Sequence, residues 1–505
     1  MTPPLLLLAI DQGTTGTTSV VADVSRPGVP RLLGRGYARV PPELPRPGWV
    51  EHPTEVLWQS VEHSATQALD AYAAAAGHSR REVVARLAAV SLANQRETAL
   101  AWQDDGRPLG NALVWQDRRT AAACRQLKAD GGEATLRRRT GLVADPYFSA
   151  SKWLWRLDQL ADGRARAERG AILLGTVDTF LLWRLTGGQV HRTDTTNAAR
   201  TGVFDIHART WEPDLCQLWG GVPMAALPEV CASDAQFGRC RGVGFLPDGL
   251  PIVGALGDQH AALIGQGCCA PGLAKCTLGT GGFALVHAGS EAPASHASLI
   301  QTIAYDFGGT CRYALEGSMF VAGAVAEFLR DGLGLVDAVG ELSDLARQVE
   351  DSDGVTFVPA LTGLGAPHWR PEARGLLAGM SRGTTRAHVA RAALEGVALQ
   401  SAELLEAMAE AAPVPVDHVR LDGGAAADDL LCQWHADFLD LPVVRPKSVE
   451  ATAVGAALVG AVGLGQQTES DLLAAFERER EFVPALGAAA REAKRAAWRR
   501  WAPLA

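Results

Sequence analysis

The chain of 505 residues is short of several things, and each shortage closes off a class of function. It has no CxxC spacing, its nine cysteines are an odd number, and the neighbours Cys268 and Cys269 could not easily bridge each other. That pattern fits free, buried thiols in a reducing compartment, neither a disulfide framework nor a zinc site. Lysine is scarce: only positions 128, 152, 275, 447 and 494 among 47 basic residues. None of them follows a glycine, so a GxxxxGK[ST] phosphate loop is absent. No glycine cluster completes GxGxxG, and HExxH is missing, which removes the dinucleotide fingerprint and the helical zinc hydrolase.

Long apolar runs are lacking too. Residues 451–465 form a stretch of mostly small side chains, below the roughly 20 residues a spanning helix needs. The leucine run between Met1 and Ile10 has no basic segment ahead of it and Asp11 directly after it, so a secretory signal is not expected. A net charge of −9 gives no reason to expect nucleic acid as a partner. The expectation is a soluble, cytoplasmic protein with no membrane insertion.

What is present is core material: 47% hydrophobic and 20% charged residues, enough for two large domains or three small ones at about 150 residues each. Strand-like runs alternate with helical ones, which argues an α/β fold. Strands are predicted at 5–10, 18–24, 87–92, 251–256, 274–278, 283–287 and 418–421. Helices are predicted after Pro53, from about Asp428 to Leu439, and at 491–501, the last as a basic, solvent-facing terminal helix. Gly13-Thr14-Thr15 and Gly279-Thr280-Gly281 each join two strands in the same way. One device used twice suggests two related domains, 1–255 and 256–505.

One catalytic motif does occur. Gly379-Met380-Ser381-Arg382-Gly383 matches the GxSxG nucleophile elbow, with His418 or His435 as conceivable partners. No oxyanion-loop motif accompanies it, and a five-residue match is cheap in a glycine-rich chain, so a plain turn is expected there.

The glycine–threonine turns carry more. Thr14, Thr15 and Thr280 offer hydroxyls, and the turns offer backbone N–H groups, in concavities that suit phosphate oxygens. Asp11 and Asp258 stand at the ends of buried strands, where a carboxylate can hold a hard cation or take a proton. Asp422-Gly423-Gly424 ahead of a helix leaves room for a flat ligand. Singly each is weak; together they suit a nucleotide with magnesium.

In order and wording, Ile10-Asp11-Gln12-Gly13-Thr14-Thr15, Gly257-Asp258-Gln259, Leu278-Gly279-Thr280-Gly281, Asp422-Gly423-Gly424 and Gly363-Leu364-Gly365-Ala366-Pro367 resemble the FGGY sugar and polyol kinases of the actin/Hsp70/hexokinase superfamily. The resemblance covers nearly the whole chain. It implies two RNase H-like (actin-like ATPase) domains flanking a central cleft, with ATP and Mg2+ as cofactors.

Pro47-Gly48-Trp49-Val50-Glu51-His52, Asn94-Gln95-Arg96-Glu97-Thr98, Val114-Trp115-Gln116 and Asp145-Pro146-Tyr147-Phe148-Ser149 resemble the glycerol-phosphorylating branch. The chemistry suits a triol independently. Arg96 donates, Glu97 accepts, Tyr147 adds a hydroxyl, and Trp115 with Phe283 can wall the carbon side.

The resemblance makes Asp258 the base for the attacking hydroxyl and Gln259 an orienting group. Asp11, with Asp258, would hold the metal. Thr14, Thr15, Gly16, Thr18, Gly279, Thr280 and Gly281 would surround the phosphates. Gly323, Glu327, Gly424 and Asp428 would lie beside the nucleoside. A homo-oligomer, dimer or tetramer, is expected by analogy.

The chain also departs from that pattern. Gly16 and Thr18 stand where the family has serine and arginine, Glu327 where it has glutamine, and Asp428 where it has asparagine. His368 and Arg370 replace a tyrosine and an aspartate. One lost positive charge and two possible negative ones should weaken binding of an anionic nucleotide. Two rivals follow: a kinase for another small polyol or sugar such as xylulose, ribulose or erythritol, and a nucleotide-binding regulatory protein with a degenerate ATP site.

Overall fold

The computed structural model describes residues 4–448 and 450–505, so Met1 to Pro3 of the leucine-rich amino terminus lie outside it. Two sheets organise the chain. The first contains β1 (Leu6–Gln12), β2 (Gly16–Asp23), β3 (Arg31–Arg39), β4 (Leu87–Asn94), β5 (Gln236–Arg239) and β6 (Pro251–Gly257), in the order β5-β6-β4-β1-β2-β3. The second contains β7 (Ala274–Leu278), β8 (Gly282–Gly289), β9 (Ile300–Phe307), β10 (Thr310–Met319), β11 (Val419–Asp422), β12 (Val443–Pro446) and β13 (Arg478–Phe482), in the order β9-β10-β8-β7-β11-β12-β13.

Both sheets are built alike around the glycine–threonine turn. β1 pairs antiparallel with β2 and parallel with β4; β7 pairs antiparallel with β8 and parallel with β11. The duplicated device read in the sequence is therefore a duplicated topology, consistent with two actin-like ATPase units.

Helices cover the first sheet on both faces. Leu6, Leu8 and Ile10 of β1 pack with Leu57, Val61 and Ala65 of α1 (Thr54–Ala76). Leu7 and Ala9 point the other way, towards Ala261 of α2 (Asp258–Gly265) and Ala453 and Leu458 of α5 (Ala451–Gly463). A strand buried on both faces reads as an unbroken apolar run, as β1 does. The small residues at 451–465 have a packing reason: a Cβ on Gly455 would sit 1.8 Å from the Ala261 carbonyl oxygen, so only small side chains let α5 lie against α2.

Behind the second sheet lie α3 (Arg386–Ala411) and α4 (Asp429–Leu439). The terminal helix α6 (Ala488–Trp501) is docked rather than free, which corrects the solvent-facing reading. Trp498 is buried and donates to Glu403 at 2.9 Å, while Lys494 and Arg491 pair with Glu395 and Asp440. Arg491, Lys494 and Arg495 of its basic stripe meet acidic neighbours, while Arg499 and Arg500 stay exposed.

Among the described residues no helix is long and apolar enough to cross a membrane, and all nine cysteines are free. The GxSxG match is a turn. Ser381 Oγ accepts from Gly383 N at 3.1 Å and has no histidine among its hydrogen-bond partners.

Candidate active site

Strand register decides which side chains meet. With period two along β1, Asp11 falls on the Leu7/Ala9 face, the face covered by α2, whose first residue is Asp258. Asp11 Oδ1 is buried without a hydrogen-bond partner. Burial, then the charges of Asp258 and Glu450, push the Asp11 carboxyl well above the usual range. Asp258 is also pushed up by burial, with the Arg96 guanidinium pulling against it.

β4 delivers the next group. Its last residue, Asn94, bonds Asn197 at 2.9 Å, and Arg96 and Glu97 follow at once. Glu97 adopts φ 59°, a left-handed conformation that costs an acidic residue energy and is typical of functional positions. The Arg96 fork donates to both oxygens of Glu316 on β10, at 2.6 and 2.8 Å. Its Nε lies 3.5 Å from Asp258 Oδ1 and 3.8 Å from Glu97 Oε1. Arg200 donates to Glu97 at 2.6 Å and to Glu316 at 3.0 Å.

Two arginines and two glutamates thus form one closed network, and it joins the two halves, since β10 belongs to the second sheet. Burial alone would raise the Glu316 carboxyl, but Arg200 and Arg96 outweigh it and hold it at about 2. Glu316 and Arg200 were not singled out in the sequence. Glu316 did leave a trace, as a lone acid inside the apolar run Tyr313–Met319; such a residue is seldom buried unless paired.

Aromatic rings close the pocket. Trp115 stands edge-on to Tyr147 and Phe283, with centroids 5.6 and 5.9 Å apart, so the predicted carbon-side wall is assembled. Tyr147 OH accepts from Arg96 at 3.4 Å, and the backbone of that segment is fixed by Asp145, which accepts from Tyr147 N and pairs with Arg118. The Trp115 indole donates to Thr14 Oγ1 at 2.8 Å, tying this wall to the first turn. Gln259 Oε1 accepts from Lys275 at 2.5 Å, which fixes its amide. Lys275 is a third site residue not singled out in the sequence, though a lone lysine in a strand is the same kind of trace as Glu316.

The nucleotide side is built differently, from backbone and apolar walls. Gly13 N donates to Gly16 O at 2.9 Å to close the first turn. Gly16 has a steric reason: a Cβ there would lie 2.4 Å from the Tyr37 hydroxyl. Thr18 is buried opposite Asp11 in the β1–β2 register. In the second turn Gly279 O accepts from Gly323 N at 2.8 Å, and Thr280 O from Ala322 N at 2.9 Å. Thr280 and Gly279 stay exposed, Gly281 half-buried. Gly423 takes φ 90°, and a Cβ on it would meet the Leu278 carbonyl oxygen at 2.5 Å.

From this turn opens a cavity of about 490 Å3, bordered by Gly323, Gly424 and Asp428. Glu327 is exposed one turn further on and is not brought to it. Asp428 caps α4 through Leu430 N and accepts from Ser343 Oγ.

Among the described residues no three His, Cys, Asp or Glu side chains converge as a metal cage. Asp11 with its unpartnered oxygen and Asp258 nonetheless fit a hard cation that draws its other ligands from water and phosphate.

Groups for several hydroxyls on one side of Asp258, and a base-sized cavity past two phosphate-sized turns on the other, are what a small-molecule kinase requires. Comparison with known proteins makes the class specific. The N-terminal domain model of the FGGY family of carbohydrate kinases matches residues 6–265 and its C-terminal domain model residues 274–464. The chain belongs to the FGGY family of carbohydrate kinases. It is 46% identical to the glycerol kinase of Myxococcus xanthus over 98% of both chains. It is 48% identical to that of Thermus brockianus over 98% of this chain and 97% of the other. Among solved structures, Plasmodium falciparum glycerol kinase with ADP is similar at TM-score 0.88 and 29% identity, covering 99% of this chain and 98% of that one. The xylulose kinase of Rhodospirillum rubrum, at TM-score 0.81 and 24% identity with 99% and 98% covered, shares the fold.

Proposed function

We propose that this chain transfers the γ-phosphoryl group of ATP to a primary hydroxyl of glycerol, giving sn-glycerol 3-phosphate and ADP. The observation that carries the reading is the polyol pocket. Arg96, Glu97, Tyr147 and Asp258 converge beside a Trp115–Phe283 wall, with Gln259 next in the chain to Asp258, and they supply the donors and acceptors that a three-carbon triol needs. The glycerol kinases named above support the substrate, and the ADP-bound relative supports the nucleotide.

Asp258 takes the proton of the attacking hydroxyl as that oxygen bonds to phosphorus and the bond to the β-phosphate oxygen breaks; ADP leaves with the electron pair. Burial raises the basicity of Asp258, and the Arg96 guanidinium pulls against that rise. Thr14, Thr15, Thr280 and the turn amides of Gly13–Gly16 and Gly279–Gly281 bind phosphate oxygens. Asp11 and Asp258 would hold Mg2+, which would supply neutralisation of the phosphate charge. Gly323 and Gly424 border the nucleoside. Arg96, locked by Glu316, presents its remaining N–H groups to the polyol in a fixed direction, so little ordering cost remains at binding.

The test is ADP release with Mg-ATP across glycerol, dihydroxyacetone, erythritol, xylulose and ribulose. Turnover on glycerol at least tenfold above the four- and five-carbon compounds is expected. Preference for a larger polyol would overturn the substrate, and ATP binding without turnover on any of them would overturn the activity.

A further inference from the structure

Lys275 has no task in the phosphoryl transfer described above, yet it is a cation wholly buried in a strand, β7. Burying a charge is costly unless it is paired. Burial pushes this ammonium below its usual range, with Asp422 and Asp258 among the charges pulling against it. Its Nζ donates to Gln259 Oε1 at 2.5 Å and to Thr277 Oγ1 at 3.0 Å. Thr277 lies two residues on, on the same face of the strand, and its register partners are Phe283 of the pocket wall and Asp422. Lys275 is thus placed between the polyol wall and the Asp422-Gly423-Gly424 turn.

Its contact with Gln259 has a directional consequence. A primary amide has an acceptor end and a donor end of nearly the same shape, so a free glutamine can turn either towards a ligand. An ammonium has donors and no acceptor, and beside it only Oε1 is accommodated. Gln259 is half-buried, its backbone N donates to Asp258 Oδ1 at 2.6 Å, and among the described residues its Nε2 has no hydrogen-bond partner.

We propose that Lys275 is a positioning residue that locks the Gln259 amide with its donor end to the polyol, so that Gln259 donates to a substrate hydroxyl and never accepts from it. The inference rests on the polyol reading above. A hydroxyl that accepts from the amide keeps its own proton for Asp258, the neighbouring residue. A flipped amide would set Oε1 in that place and compete with Asp258 for the proton.

The experiment is calorimetric titration of the full chain with glycerol, without nucleotide, each protein also being melted thermally. The proteins are the wild type, Lys275→Met, Gln259→Ala, the double variant and Gln259→Glu. Lys275→Met and Gln259→Ala should each weaken glycerol binding about tenfold, one oriented hydrogen bond being at stake. The double variant should bind within about twofold of Gln259→Ala, because Lys275 acts only through that amide. A lysine that merely fills the sheet would give multiplied losses, about a hundredfold. Gln259→Glu keeps the shape and gains a pair with the ammonium, so it should melt no lower than the wild type. With no N–H left it should still bind glycerol about tenfold more weakly, and this arm decides the matter if Lys275→Met does not fold.

Multiplied losses in the double variant, or Gln259→Glu binding glycerol as tightly as the wild type, would overturn the proposal. Because binding is read without turnover, a chain that shows this coupling but does not phosphorylate glycerol would refute the activity and keep the positioning role. A chain that phosphorylates glycerol with independent losses would do the reverse, and a wild type that binds no glycerol would overturn both.

Discussion

The two ends of the cleft are made of different material. At the polyol end the groups are side chains: Arg96, Arg200, Glu97 and Glu316 interlock at 2.6–3.0 Å, with Glu316 wholly buried and both halves of the chain contributing. At the nucleotide end they are mostly backbone: two tight turns, the positive-φ Gly423 and an apolar cavity. The difference gives a reason for three of the six departures from the family pattern. A closed ion network tolerates no single replacement, since removing one member strands a buried charge. A backbone cradle keeps its N–H groups whatever the side chain is. Gly16, Thr18 and Asp428 fall at the backbone-built end, while Glu327 is exposed, His368 meets Glu403 and Arg370 donates to the main-chain oxygens of Pro503 and Ala505. The segments around Arg96, Trp115 and Tyr147 keep the wording that resembles the family's.

The contrast can be broken at several points. Removing Glu316 should cost most: Glu316→Ala leaves Arg96 and Arg200 facing each other in the core, and a loss of about 3–5 kcal/mol in unfolding free energy is expected. Glu316→Gln, which keeps the shape, should retain the fold but raise the glycerol KM several-fold with the ATP KM unchanged. A matched rise in both constants would remove the distinction between the two ends.

Gly423→Ala comes next. It forces a side chain into φ 90° and against the Leu278 carbonyl, so about 1–3 kcal/mol should be lost. Here nucleotide affinity should fall and glycerol affinity should hold, measured by titration with ADP and with glycerol.

Lowering pH separates fold from network. His52, His191, His287 and His435 are held by burial at about 4, so the unfolded chain takes up protons first. Stability is complete above about pH 6.5 and falls as pH drops towards 4, by about 1.4 kcal/mol per pH unit for each proton. Glu316, held at about 2, keeps its share until pH falls below about 4.3. Asp194, raised to about 7 by burial and the Asp178 charge, works in the opposite direction. The imidazole share is therefore read by comparing melts at pH 7 and 5 for the wild type and His191→Gln: the variant should lose less Tm on acidification, and equal losses would refute the burial of that imidazole. The smallest effect belongs to Gly16→Ser. Tyr37 must swing away and lose its 3.3 Å bond to Thr15 O, about 1 kcal/mol.

Much of this was legible in the residues. Strands 274–278 and 251–256, and the helix after Pro53, read out within a residue or two, because strands buried on both faces are continuous apolar runs and the helix carries its own period. Asp258, Arg96 and Tyr147 were readable from local wording. Glu316 and Arg200 were not: their role arises only when β10 is laid across from β4, a pairing 220 positions apart in the chain. Glu327 shows the opposite failure. Its place in a family pattern points to the nucleotide, yet Glu327 is exposed and does not line the cavity.

The central claim is that Asp258 carries the chemistry between two separately built binding sites. It is tested most directly by titrating Asp258→Asn with glycerol and with ADP while measuring its turnover. The account predicts glycerol and ADP affinities within a few-fold of the wild type and turnover reduced by about 10³-fold or more. Turnover within tenfold of the wild type, with both ligands bound, would contradict it.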